Sequence, residues 1–187
     1  MASTAVVIMD VQNGIVQRLG ERAGTYLDSI VKIRAAARTA GLAVIYVRVA
    51  FRDGAPEISA KNQAFTALAG TDGYSEESYE TQIHDRVAPG EGEVVVTKRR
   101  VSAFSGSDLD VVLRAMDIDT LVLCGISTSG VVLSTVRQAA DLDFKMIVLS
   151  DACADLDAEV HEVLVTKVFP RQARVLDSDE WIAQLAN

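Results

Sequence analysis

The chain has 187 residues, 49% of them hydrophobic, which is enough apolar material for one domain with a sizeable core and too much for a disordered tail. Eighteen Lys and Arg stand against 26 Asp and Glu, and the net charge of −8 opposes general affinity for nucleic acid or an anionic membrane. The longest apolar runs, residues 5–9 and 121–124, fall far short of the roughly 20 residues a membrane span needs. The opening Met-Ala-Ser-Thr lacks the basic stretch and long apolar core of a secretory signal. A single domain over 1–187 in the cytoplasm is therefore expected.

In chain order, short apolar runs alternate with helix-period stretches. A strand is expected over 4–9, a helix over 25–40 closed by Gly41, and a second strand over 42–48. Residues 51–92 are polar and rich in Gly and Pro, with short helices expected at 59–68 and 75–84. So long an irregular stretch inside one domain is expected to serve as a lid or a partner surface. Strands at 93–97, 120–124, 145–149 and 173–176 then alternate with helices at 107–116, 130–141, 158–168 and 178–185. Most of the strands are apolar throughout, so both of their faces should be buried. The fold class expected is α/β: a doubly wound, six-stranded parallel sheet with helices on both faces, a Rossmann-like three-layer arrangement.

Ligands of such sheets sit beyond the carboxyl ends of the strands, where strand order reverses. Asp10 directly follows the first strand, where burial would raise its pKa and make it a usable acid or base. A plain hydrogen-bonding Asp at a strand end is the alternative. Lys98 takes the equivalent place after the third strand. A buried lysine wants a counter-charge, and Asp10 is the candidate. The stretch 124–135 runs strand, glycine turn, hydroxyl residues, helix. Its backbone N–H groups would face the site, with Thr128 or Ser129 as the helix cap.

Together, residues 7–13 (Val-Ile-Met-Asp-Val-Gln-Asn), 97–104 (Thr-Lys-Arg-Arg-Val-Ser-Ala-Phe) and 125–139 resemble the isochorismatase-like hydrolase superfamily, which includes cysteine hydrolases such as nicotinamidases. The resemblance implies a six-stranded parallel sheet and self-association as a dimer or tetramer, with 51–92 as interface or lid. It also implies a cis peptide just after Ile126. In the cysteine hydrolases the residues matched by Asp10 and Lys98 serve a cysteine that lies six residues after the glycine matched by Gly125. Here that position is Val131, whose isopropyl group can neither attack a carbonyl nor lose a proton.

The isochorismatases proper also lack the cysteine and hydrolyse a vinyl ether by protonation and water addition. By that resemblance Asp10 is the proton donor, and Lys98 holds a substrate carboxylate or tunes Asp10. That branch tends to carry glycine where this chain has Val131, so a smaller or differently shaped substrate is expected. Backbone donors of Ser127, Thr128, Ser129, Gly130 and Val131 would form an anion hole, with Gln12, Arg52 and Phe104 lining the pocket. No metal or other cofactor is expected, since the chain has only two histidines, His84 and His161, both expected on surface helices. Cys124 and Cys153 are expected as buried small hydrophobes. Two other readings compete: a serine relay of Ser127, Asp151 and His161, and a small-molecule-binding or scaffold protein without catalysis.

Overall fold

The computed structural model describes residues 3–67 and 72–185. Six strands make one sheet: β1 (Ser3–Met9), β2 (Ala43–Val49), β3 (Val94–Lys98), β4 (Ile118–Ile126), β5 (Lys145–Ala154) and β6 (Arg174–Leu176). Their order is β3-β2-β1-β4-β5-β6, with every pairing parallel. The α-helices are α1 (Asn13–Val16), α2 (Ala23–Thr39), α3 (Gln63–Thr66), α4 (Leu109–Ala115), α5 (Leu133–Asp141), α6 (Ala158–Val163) and α7 (Ser178–Leu185).

Two cores flank the sheet because successive strand side chains point to opposite faces. From β1, Ala5, Val7 and Met9 enter one core and Val6 and Ile8 the other. The first core takes Leu109 and Leu113 of α4 and Val136 and Ala139 of α5. The second takes Leu27, Ile30, Ile33 and Ala37, one stripe of α2 at helical spacing, and Trp181 of α7. The three-layer, doubly wound expectation holds in these terms.

The element ends differ where tertiary pairing overrides local pattern. β4 and β5 run on past the expected 124 and 149, because register shifts after Leu123 and pairing resumes as Gly125 with Cys153 and Ile126 with Ala154. Polar Ser150 and Asp151 read as a stop in sequence, yet the bulge carries the strand through them. The helix expected at 130–141 begins as a π turn, Thr128–Val132, before α5, and the one expected at 158–168 is α6 followed by a second π turn, Leu164–Val168.

Of the short helices expected in 51–92, the first is only α3, capped by the Asn62 side chain, and its expected end at Leu68 lies outside the described residues. The second shrinks to a 3₁₀ turn, Tyr79–Thr81. There the Thr81 hydroxyl donates to the Ser75 and Ser78 carbonyls and Gln82 Nε2 to those of Glu76 and Ser78, bonds that favour turns over helix. The segment is strapped to the domain by Asn13 N–H to Gln82 O (3.0 Å) and His84 N–H to Val11 O (2.9 Å), and Phe51 N–H to Tyr74 O (2.9 Å) ties its first residue to its middle. Among the described residues, no helix is long and apolar enough to cross a membrane.

Candidate active site

β1 and β4 are neighbours at the centre of the sheet. The chain leaves β1 toward the α2 face and β4 toward the α5 face, which opens a crevice between their carboxyl ends. Gly125 is required at this junction, since a Cβ there would lie 2.3 Å from the Met9 carbonyl oxygen. The close approach places the turn after β4 against the end of β1. The Ile126–Ser127 peptide that follows is cis, as the resemblance implies.

Asp10 leaves β1 with φ of 57°, a left-handed conformation that Asp accepts more readily than most residues. Its N–H donates to the Val47 carbonyl at 2.8 Å, which fixes the turn to β2. Lys98, the last residue of β3, extends to Asp10, and its Nζ lies 2.9 Å from Asp10 Oδ2. The same ammonium donates to the carbonyls of Arg100 (3.0 Å) and Val101 (3.1 Å), so all three of its donors are engaged. The two side chains are only 2% (Lys98) and 7% (Asp10) exposed. Asp10 Oδ1 is buried and has no hydrogen-bond partner. Burial pushes the Asp10 carboxyl above its ordinary range, and the charge and hydrogen bond of Lys98 only partly offset this.

A cavity of about 410 Å³ opens against the pair. Ile15, Val49, Phe65, Val101, Val131 and Leu156 give it apolar walls, while Ser127, Ser129, Gly130, Tyr74, Arg18 and Asp155 add polar edge. Few polar groups in an apolar pocket is the usual make-up of a small-molecule site. Phe65 and Tyr74 come from the segment 51–92, so this loop covers one side of the cavity.

Of the expected residues, Asp10, Lys98, Val131, Ser127, Ser129 and Gly130 meet in the cavity, and four others do not. Gln12 is 1% exposed and spends its amide on structure: Nε2 donates to Val49 O and Thr81 O, and Oε1 accepts from Val49 N–H, each at 2.8 Å. The Arg52 side chain is 66% exposed and pairs with Glu57, because a flexible cation in a polar loop finds its partner within the loop. Phe104 packs against Phe144 in the core, with ring centroids 5.8 Å apart, since its apolar surface is better buried than placed at a pocket edge. Thr128 is fully buried, and its hydroxyl bonds to His161 Nδ1 at 2.8 Å.

The expected row of free amides is also shortened. Ser129 N–H donates to Asp155 Oδ2 at 2.7 Å, and Gly130 and Val132 N–H both donate to Ser127 O at 3.2 Å. The cap is the Ser127 backbone carbonyl and not a Thr128 or Ser129 side chain. Burial favours protonation of Asp155, but the N–H of Ser129, with that of Asp157, holds its carboxyl below the usual range.

His84 caps the 3₁₀ turn Asp85–Val87 and does not lie on a helix, while half-buried His161 turns inward from α6 to Thr128. Asp151 accepts from the N–H and hydroxyl of Ser178, so Ser127, Asp151 and His161 form no relay. Cys124 and Cys153 are both buried, as expected, and neither lines the cavity. Burial pushes the Cys124 thiol well up and the Cys153 thiol up to about 12, far from a reactive thiolate.

Sequence reasoning missed Arg18, Phe65, Tyr74, Asp155 and Leu156. For Asp155 and Leu156 the signal was the end of β5: residues just past the strand face the site, and the strand ends at Ala154. Nothing local marks Phe65, which packs on the Phe51 ring, or Tyr74, whose carbonyl accepts from Phe51 N–H.

A doubly wound parallel sheet with a buried acid–lysine pair at its switch point, facing a largely apolar pocket, defines an α/β protein with a candidate small-molecule site. An isochorismatase domain model matches residues 4–180, and the chain belongs to the isochorismatase family. It is 34% identical over 182 residues to the isochorismatase family protein YwoC of Bacillus subtilis (strain 168), covering 97% of this chain and 94% of that one. It is 33% identical over 132 residues to the N-carbamoylsarcosine amidase of an Arthrobacter species, covering 70% of this chain and 50% of the amidase. A cysteine hydrolase structure from Pseudomonas syringae pv. phaseolicola superposes with a TM-score of 0.90 at 27% identity, over 98% of this chain and 92% of that one. The relatives with named activities are hydrolases, and the chain is a hydrolase-family protein in that sense.

Proposed function

We propose that the protein hydrolyses a small molecule without a covalent thiol intermediate, with Asp10 as the proton-transferring group. The observation that carries this is Asp10 itself: a buried carboxyl with a raised pKa and an unpartnered Oδ1, lining a cavity that no thiol lines. A carboxyl protonated nearer neutral pH can donate, and one held by Lys98 can take the proton back.

For a vinyl ether the step balances as follows. The Asp10 proton moves to the enol carbon, and water oxygen adds to the resulting oxocarbenium carbon. The added water gives up both of its protons: one restores Asp10, and the other passes to the leaving oxygen as its C–O bond breaks, giving a ketone and an alcohol. Lys98 acts by position: with its donors spent on Asp10 and two carbonyls, it orients the acid and limits how far burial raises its pKa. Val131 shapes the wall beside the reacting bond. The relatives' names also bring ureido and amide substrates within range, where Asp10 would direct water onto the carbonyl.

The test is pyruvate release from isochorismate, together with ammonia release from N-carbamoylsarcosine and ureidoacrylate, for wild type and Asp10→Asn side by side. Turnover that is lost in the variant supports the reading. Turnover retained by Asp10→Asn would refute the role given to Asp10, and no turnover of any of these substrates would favour a binding protein without catalysis.

A further inference from the structure

Four charged side chains line the cavity, and three of them are spoken for. Asp10 and Lys98 hold each other at 2.9 Å. Asp155 accepts from Ser129 N–H at 2.7 Å and, through its other oxygen, from Asp157 N–H at 3.3 Å. The fourth, Arg18, lies exposed in the 3₁₀ stretch Gln17–Arg22. Its guanidinium has neither an ion pair nor a hydrogen bond among the described residues. Several other arginines of this acidic chain pair with carboxylates, Arg38 with Glu93, Arg52 with Glu57, Arg86 with Asp28 and Arg114 with Asp110, while Arg34, Arg48, Arg100, Arg137 and Arg174 bond neutral oxygens. Arg22, four residues on, is fixed to the Asp155 carbonyl at 3.0 Å.

We infer that Arg18 sets substrate specificity, holding a single carboxylate on the substrate while the bond to be broken reaches Asp10. An arginine fork matches the two oxygens of one carboxylate, in number and in plane. A phosphate brings nearly two negative charges, and this cavity would meet them with one free cation beside the Asp155 carboxylate. Lys98 cannot share the task without releasing Asp10 or orphaning a carbonyl, so the carboxylate-holding role that the resemblance left open for Lys98 passes to Arg18. The apolar walls between Arg18 and Asp10 then contact the body of the substrate. The location of the breaking bond rests on the hydrolase reading, whereas the binding of the carboxylate does not.

The experiment therefore reads binding, without turnover. A panel of small carboxylic acids, N-carbamoylsarcosine among them, is titrated by ligand-observed NMR against their matched primary amides, with wild type, Arg18→Gln and Arg18→Lys. Acids are expected to bind wild type about 10- to 100-fold more tightly than their amides, the worth of one charge-assisted pair. Arg18→Gln should erase that preference and leave the amides unchanged, while Arg18→Lys restores part of it because charge returns without the fork. Arg18 is exposed, so neither change threatens the fold.

Equal binding of acids and amides, acid binding unchanged in Arg18→Gln, or no binding by any acid of the panel overturns the inference. An acid held through Arg18 but never hydrolysed refutes the hydrolase reading and leaves this one standing. Hydrolysis of neutral substrates equally by wild type and Arg18→Gln does the reverse.

Discussion

Replacing Lys98 with Met tests the core of the site, because it removes the charge and all three hydrogen bonds while keeping a linear side chain of similar length. Asp10 is then left as a buried carboxylate without a counter-charge, and the carbonyls of Arg100 and Val101 lose a donor. Breaking one side of a buried pair costs about 3–5 kcal/mol. For a domain of this size that lowers Tm by about 6–20 °C. The loss also carries a pH signature. Asp10 already has a folded-state pKa above its unfolded one, so its contribution to stability is fully present below the ordinary carboxylate value and is lost as pH rises through the folded value. Without Lys98 the folded value climbs further, so the penalty in Lys98→Met should grow from acid to alkaline pH. Denaturant melts at several pH values, run beside the double variant Asp10→Asn/Lys98→Met, measure this. Removing both charges should recover most of the loss, since the cost comes from the unpaired ion. A pH-independent loss below about 1 kcal/mol, or strictly additive single and double variants, would show that the pair is not coupled as its 2.9 Å contact implies.

Asp10→Asn keeps the left-handed turn, which Asn also accepts, and should cut turnover by about 10²- to 10⁴-fold with far-UV dichroism unchanged. In wild type, kcat/KM should be flat at low pH and fall as pH rises through the raised Asp10 pKa, because the donor form is then lost; a fall toward low pH instead would make Asp10 a base. Gln12→Leu should cost about 3 kcal/mol in thermal unfolding, because Val49 N–H, Val49 O and Thr81 O all lose buried partners; a neutral result would return Gln12 to the list of binding candidates. A chromogenic disulfide reagent should find no reactive thiol in the native wild type, and one in Val131→Cys. Rapid labelling of the wild type would place Cys124 or Cys153 within reach of solvent and weaken the thiol-free mechanism.

The sequence by itself determined the layer architecture. Apolar runs such as residues 5–9 and the helical stripe of α2 are local patterns, and burying them on both faces of a sheet leaves little freedom of topology. The contact of Asp10 with Lys98 was legible too, because a strand end is a local feature and strand ends share one edge of a parallel sheet. Asp10 and Lys98 could be matched from their positions alone.

Tertiary structure decided what fills the space around that pair. Gln12, Arg52, Phe104 and Thr128 sit near the site along the chain, yet each is claimed by a nearer partner: a strand backbone, a loop carboxylate, the core or a histidine. Phe65 enters by packing its ring on Phe51, Tyr74 through a bond from the Phe51 N–H, and Asp155 through a register shift that lengthens β5. Arg18 is the sharpest case, for what makes it stand out is an ion pair it does not form. Hydrophobic periodicity is written residue by residue, but a vacant hydrogen-bonding group is defined only once every neighbour has chosen its partner.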